Sequence, residues 1–277
     1  MVDVELTSVR SARVQAARRL AKRAFRARER RFLAEGPQAV REAVAATGGV
    51  LEVFATREAA GRDPEILDSA RTSGAPVHLV SGAVMGALSQ TVTPQGLVAV
   101  CPFLDRPLAD AVRPGQRLVA VLVDARDPGN AGTVIRTADA AGTDAVVLSG
   151  KSVDPYNGKC VRASAGSLFH LPLSAGVPVP DTVARLRESG LRVLAADGRG
   201  RLDLDAAVDR GVLSVPTAWM FGNEAWGLAE DSRALADEVV RVPIHGRAES
   251  LNLATAAAVC LYSSARAQRA AVQVDST

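Results

Sequence analysis

Three polar islands interrupt the 277-residue chain between residues 127 and 253. They read Asp127-Pro-Gly-Asn130-Ala-Gly-Thr-Val-Ile-Arg136, Gly222-Asn223-Glu224-Ala-Trp226-Gly227 and Ile244-His245-Gly-Arg247-Ala-Glu249-Ser250-Leu251-Asn252-Leu253. Their carboxamides, carboxylates, hydroxyls and guanidinium groups can hold a polar ligand, and their glycines let backbone approach it closely. Each island lies where a strand-like run gives way to a helix-like pattern. In an open parallel sheet, ligands bind in the crevice at the carboxyl ends of the strands, so the three islands are expected to meet in one crevice.

Other nucleotide-type loops fail on spacing. Gly198-Arg199-Gly200 is followed by Asp203 where a dinucleotide loop needs Gly, and Gly150-Lys151-Ser152 has Ala145, inside a strand, where a Walker loop needs its first Gly. An ATP-using enzyme stays as an alternative only on that Gly-Lys-Ser. Ser164 has Gly166 after it but Arg162 before it, so no hydrolase elbow forms. Cys101, Cys160 and Cys260, like His78, His170 and His245, lie too far apart for zinc spacing or a disulfide framework, and no metal is expected.

The elements that must position the islands follow from periodicity. Residues 118–124 (LVAVLVD) form a continuous apolar run, as a buried parallel strand requires. Residues 131–141 pattern as a helix with Asn130 as its cap. Strands follow at 145–148, 192–195, 217–221 and 239–242, and helices at 182–189 and 228–236. A long alanine-rich helix runs over 250–269, capped by Ser250. This alternation predicts an α/β domain, with helices on both faces of a parallel sheet. Upstream, a basic helix over 7–28 leads into strands at 31–34, 50–55, 77–80 and 97–101. Helices at 36–47 and 63–73 carry Pro37 and Pro64 in their first turns, Pro64 just after an Asp63 cap. Residues 1–103 therefore read as a smaller α/β domain, 104–116 as a linker rich in Pro and Gly, and 117–277 as the larger domain.

Charge is unevenly placed. Ten basic residues and one acid, Glu29, lie between Arg10 and Arg31, a local charge of +9 in a chain of net charge +3. Such a block is an electrostatic footprint for phosphates, with a solvated basic helix as the plain alternative. The apolar stretch 253–262 is shorter than the roughly 20 residues that span a bilayer, and the basic N-terminus lacks the apolar core of a signal peptide. A cytoplasmic protein with no membrane association is expected.

In order, spacing and polar residues, the three islands resemble the signature motifs of the SpoU, or TrmH-type, RNA 2′-O-ribose methyltransferases of the SPOUT superfamily, over residues 119–266. Asp154-Pro155-Tyr156 through Lys159, Val161 and Arg162 to Gly166 resembles the stretch between the family's motifs. Through Phe32-Leu-Ala-Glu-Gly36, the N-terminal unit is similar to the ribosomal-protein-like RNA-binding domain of the ribosomal RNA branch. The resemblance implies methyl transfer from S-adenosylmethionine to a ribose 2′-hydroxyl, with 23S ribosomal RNA as the leading substrate. Transfer RNA, or a catalytically silent RNA-binding protein of the same fold, are the alternatives. It also implies a deep trefoil knot, a rare exception to ordinary topology. A homodimer through the knotted domain would follow, for which Ala254, Ala257 and Ala258 offer a small-residue face.

Catalysis would rest on Arg136, Asn130, Glu224, Ser250 and Asn252. A guanidinium stays protonated, so Arg136 is expected to orient the hydroxyl and stabilise its developing charge. The cofactor would lie against Ala196, Gly222, Ile244, Leu251 and Leu253, held mainly through loop backbone groups. Arg162 with Arg18, Arg19, Arg23 and Arg26 would contact the RNA. Trp226 departs from the family, which usually has a small residue there; stacking on a base and simple packing both remain open.

Overall fold

The computed structural model describes residues 5–274. Where the sequence suggests one basic helix over 7–28, the chain forms two. Helix α1 (Ala12–Arg19) begins at Ser11, whose hydroxyl oxygen accepts the Val14 N–H, and α2 (Arg23–Glu29) follows after a turn. The break has a local cause. Arg26 is buried, and its guanidinium donates to the carbonyls of Leu20 and Ala21 at 2.9 and 2.8 Å. A side chain thus takes carbonyls that a continuous helix would use itself.

Next come β1 (Arg31–Glu35), α3 (Pro37–Ala45), β2 (Glu52–Ala55), α4 (Arg57–Arg62), α5 (Pro64–Thr72), β3 (Val77–Leu79), α6 (Gly82–Leu88) and β4 (Leu97–Pro102). The four strands form one sheet in the order β1-β4-β2-β3. β4 is antiparallel to β1 and β2, and β2 is parallel to β3. Val14 and Ala17 of α1 pack with Phe54, Val98 and Val100 of the sheet and Val84 and Leu88 of α6.

This unit is not contiguous in sequence: it comprises Met1–Leu104 and Tyr156–His170. The linear order of the chain places the second stretch in the downstream domain, but its side chains pack on β1 and the end of β4. Tyr156 stacks on Phe103 with ring centroids 3.9 Å apart and lies 4.7 Å from Phe32, on whose ring Phe169 stacks at 5.9 Å. The Tyr156 hydroxyl accepts the Leu104 N–H at 2.7 Å.

The second unit holds α7 (Leu108–Ala111), β5 (Leu118–Val123), α8 (Pro128–Ala141) and β6 (Ala145–Ser149). After α9 (Gly158–Ser164), which belongs to the first unit, come β7 (Leu173–Val177), α10 (Val179–Glu188), β8 (Arg192–Ala196), β9 (Leu202–Asp203) and α11 (Leu204–Asp209). Then follow β10 (Thr217–Phe221), α12 (Glu230–Arg233), β11 (Glu238–Arg241) and α13 (Leu253–Val274). Seven strands pair in parallel in the order β7-β6-β5-β10-β8-β11-β9. β10 is made after β8 yet lies between β5 and β8, and β11 lies between β8 and β9.

Val119, Val121 and Val123 of β5 join Val147, Val193 and Met220 against Val183 and Leu186 of α10. Each such side chain contributes about 1.5–3 kcal/mol by leaving water. α13 packs along α8 and is pinned to β10 by a buried hydrogen bond, Trp219 Nε1 to Ser264 Oγ at 2.8 Å. Two of the alanines expected to form an intersubunit face, Ala254 and Ala257, are instead buried within the chain. The solvent face of α13 carries Thr255, Val259, Tyr262 and Arg266. Among the described residues no helix is long and apolar enough to cross a membrane.

Candidate functional site

All three islands leave the carboxyl edge of the seven-stranded sheet. The first follows β5. Asp124, immediately after that strand, has a left-handed backbone (φ 53°), a conformation that Asp tolerates better than most residues. Its carboxylate accepts the Lys151 N–H at 2.6 Å, and a Cβ on Gly150 would lie 2.6 Å from the same oxygen. Gly150-Lys151 therefore closes the end of β6 against β5, a structural use for the pair that resembled a Walker loop.

Helix α8 starts three residues earlier than its apolar pattern suggests. Asp127, not Asn130, is its cap: the Asp127 carboxylate accepts the Asn130 N–H at 2.8 Å. Pro128 follows in the first turn, where its missing N–H costs nothing. The Asp-Pro pair carried this signal, as Asp63-Pro64 did upstream. With the cap supplied by Asp127, the Asn130 side chain is free for longer-range contacts. Ala131, Val134, Ile135 and Ala138 bury one face of α8. Arg136 lies on the exposed face, and its guanidinium has no hydrogen-bond or ion-pair partner among the described residues.

The second island follows β10 as a tight loop. Gly222 has no room for a side chain, because a Cβ there would sit 2.3 Å from the Gly227 carbonyl carbon. Asn223 and Gly227 exchange two backbone hydrogen bonds of 2.9 Å each. The buried Asn223 side chain donates to the Asp124 carbonyl and accepts the Ala225 N–H, both at 2.8 Å. Asn223 thus has a structural role that its residue type alone does not announce. This geometry presents Glu224 to the first island. Its carboxylate accepts the N–H groups of Arg126 and Asp127, each at 3.1 Å, and the Asn130 Nδ2 at 3.3 Å.

The third island runs from β11 to α13. Asn252, not Ser250, caps that helix, its Oδ1 accepting the Ala254 and Thr255 N–H groups at 2.9 and 3.4 Å. The Asn252 Nδ2 donates to Asn130 Oδ1 at 3.1 Å. Glu224, Asn130 and Asn252 thus form one hydrogen-bonded chain that joins all three islands. Ser250 is exposed and takes no part in it.

Parallel pairing sets Phe221 beside Ala196, and Ala196 beside Val240, so the ends of β10, β8 and β11 lie side by side. Ala196, Gly222 and Ile244 belong to or follow these ends. Ile244 is 38% exposed, Leu251 is half-buried and Leu253 is buried. Among the described residues, the backbone groups of 243–251 make no hydrogen bond within the chain. Open backbone donors and acceptors beside apolar side chains fit a ligand held through the loop itself.

In the first unit, Arg18, Arg19 and Arg23 are exposed, but Arg26 does not join the expected phosphate-binding set, since its guanidinium is taken up by the Leu20 and Ala21 carbonyls. Arg162 pairs with Glu35 at 3.4 Å, a largely buried carboxylate that also accepts from Gln90 N–H and Thr91 Oγ1. Burial pushes the thiols of Cys101 and Cys260 up, that of Cys260 to about 12, which removes both as nucleophiles near neutral pH. Among the described residues, no group of three or more His, Cys, Asp or Glu could hold a metal ion.

Residues 117–262 match the SpoU rRNA Methylase family, and residues 11–99 match the MRM3-like substrate binding domain. The 23S rRNA (guanosine(2553)-2'-O)-methyltransferase RlmP of Bacillus subtilis (strain 168) is 35% identical over 259 residues, 93% of this chain and 98% of that protein. A 23S rRNA (uridine(2479)-2'-O)-methyltransferase of Streptomyces viridochromogenes is 34% identical over 207 residues, 73% of this chain and 70% of its own. The crystal structure of AdoMet-bound rRNA methyltransferase from Sinorhizobium meliloti aligns with a TM-score of 0.82 at 30% identity, covering 95% of this chain and 97% of that one.

Proposed function

This chain belongs to the SpoU rRNA methylase family, and on that premise we propose that the Glu224–Asn130–Asn252 chain, with Arg136 on the same helix as Asn130, is its active site. The protein is an S-adenosylmethionine-dependent RNA ribose 2′-O-methyltransferase acting on ribosomal RNA. The cofactor supplies a methyl group that is already electrophilic, so the protein's main task is alignment. Ala196, Gly222, Ile244, Leu251 and Leu253, with the open backbone of 243–251, hold the cofactor. Glu224 clamps the loop before α8, and Asn252 and Asn130 lock the third island to the first. Arg136 orients the 2′-hydroxyl and stabilises its negative charge as the proton leaves to water or a substrate phosphate. Ser250 completes the polar side of the site.

The observation that carries this reading is the hydrogen-bonded chain joining three segments far apart in sequence. We take 23S ribosomal RNA as the substrate, because both relatives described above are named for it. One is named for a guanosine and the other for a uridine, so family membership does not set the base. Arg18, Arg19, Arg23 and Arg162 contact RNA phosphates in this reading. A trefoil knot, a homodimer through the open face of α13 and a cytoplasmic location complete it.

The test is transfer of labelled methyl from S-adenosylmethionine to 23S ribosomal RNA and, separately, to transfer RNA, with the 2′-O-methyl sites mapped. Incorporation at one ribose of 23S RNA is expected. Arg136→Ala should lower turnover by about 100- to 1000-fold while cofactor binding and folding stay intact. Near-wild-type turnover in a folded Arg136→Ala would remove the assignment, and transfer only to transfer RNA would replace the substrate.

A further inference from the structure

Trp226 is 56% exposed, whereas the other tryptophan, Trp219, is fully buried. Among the described residues the Trp226 indole has no aromatic neighbour, and its Nε1 donates to nothing. An indole left in solvent gives up the burial it would gain in a core. The loop beneath it is held firmly: Asn223 and Gly227 are paired, Asn223 is tied to Asp124, and Glu224 is tied to the loop before α8. The indole is therefore presented on a rigid support.

Its surroundings suit a nucleotide. Glu224 is two residues away, so the two Cα atoms are within about 7.6 Å. The N–H of Arg126 bonds to Glu224, and the Arg126 side chain is exposed with no partner among the described residues. An exposed indole and an unpartnered guanidinium thus belong to residues that adjoin Glu224, one by sequence and one by a backbone hydrogen bond. A base and its adjoining phosphate, spanning a ribose, call for such a pair.

Resting on the methyl-transfer reading above, we propose that Trp226 is a stacking platform for an unpaired base at the methylation site, with Arg126 holding the adjoining phosphate. Stacking tolerates any base, because every base has a π-face. The platform therefore supplies affinity and holds the nucleotide open for reaction, while base identity is read elsewhere.

The experiment compares wild type, Trp226→Ala, Trp226→Phe and Arg126→Gln on in vitro transcribed 23S ribosomal RNA. Trp226→Ala should lose about 10- to 100-fold in kcat/KM, most of it in KM for RNA, and Trp226→Phe only a few-fold. Arg126→Gln should raise KM for RNA and flatten its salt dependence. Cofactor affinity by calorimetry and sedimentation behaviour should not move. RNA should quench wild-type tryptophan fluorescence, and Trp226→Phe should lose that quench. Unimpaired Trp226→Ala, a loss confined to cofactor affinity, or a changed oligomeric state would each overturn the platform. A wild-type protein that transfers no methyl would instead overturn the reading beneath it.

Discussion

The carboxyl edge of the large sheet and the basic helices α1 and α2 are both rich in polar side chains, but they use them in opposite ways. At the sheet edge, Glu224, Asn130, Asn252, Asn223 and Asp127 bond to one another or to nearby backbone. On the helices and the turn between them, Arg18, Lys22 and Arg23 are exposed, and their side chains have no partner among the described residues. A site that aligns a reaction needs fixed geometry, which mutual hydrogen bonds provide. A surface that gathers a polyanion needs charge, and charge acts at a distance without fixed geometry. Arg26 shows that composition alone does not assign a residue to one use: it lies among the basic residues yet behaves as a structural donor.

The sharpest way to break this contrast is Glu224→Ala, which frees the 125–127 loop and the Asn130 carboxamide together. Methyl transfer in single turnover should fall about 100-fold, since misplacement of the reacting groups by about 1 Å costs that much. Unchanged transfer would mean the hydrogen-bonded chain does not position the reaction. Next, two sets of arginine substitutions should separate. Arg26→Ala should cost about 1–3 kcal/mol in urea unfolding, because the buried Leu20 carbonyl loses its donor. Arg18, Arg19 and Arg23 changed together to Gln should leave unfolding alone. That triple variant should reduce the slope of log affinity for RNA against log salt by about 2–3. Equal effects on stability would erase the distinction.

The smallest effect concerns Asp237, outside both regions. Burial works against its charge, but the Val193 N–H at 2.8 Å and Arg187 at 2.6 Å outweigh it and hold the carboxyl below the usual range. A lowered carboxylate stabilises the fold above its unfolded pKa of about 3.9, and that contribution is lost as pH falls through the folded value. Asp237→Asn should therefore unfold more easily than wild type near neutrality. The two should converge in acid, as urea midpoints along a pH series would record.

Much of this was legible because the signals were local. The LVAVLVD run marked β5, and the mix of polar residue types marked the three islands. The misses have physical causes. Asp127 and Asn130 can both cap, as can Ser250 and Asn252, and only backbone geometry chooses between them. β7 (LSAGV) and β9, two residues long, are too short to show a period. Arg26 is the same residue type as its exposed neighbours, and its burial follows from a turn that the pattern does not announce. The place of Tyr156–His170 depends on ring contacts with residues more than 50 positions earlier.

That last segment has a consequence for synthesis. Residues up to Leu104 leave the ribosome first, yet two of the rings around Phe32 arrive only after the chain has grown from Leu104 to His170. At about 5–20 residues per second this takes roughly 3–13 s. During that interval Phe32 and Phe103 lack Tyr156 and Phe169, and the apolar rings left open are a surface for chaperones. A gene fragment ending at Leu104 would make that transient state permanent.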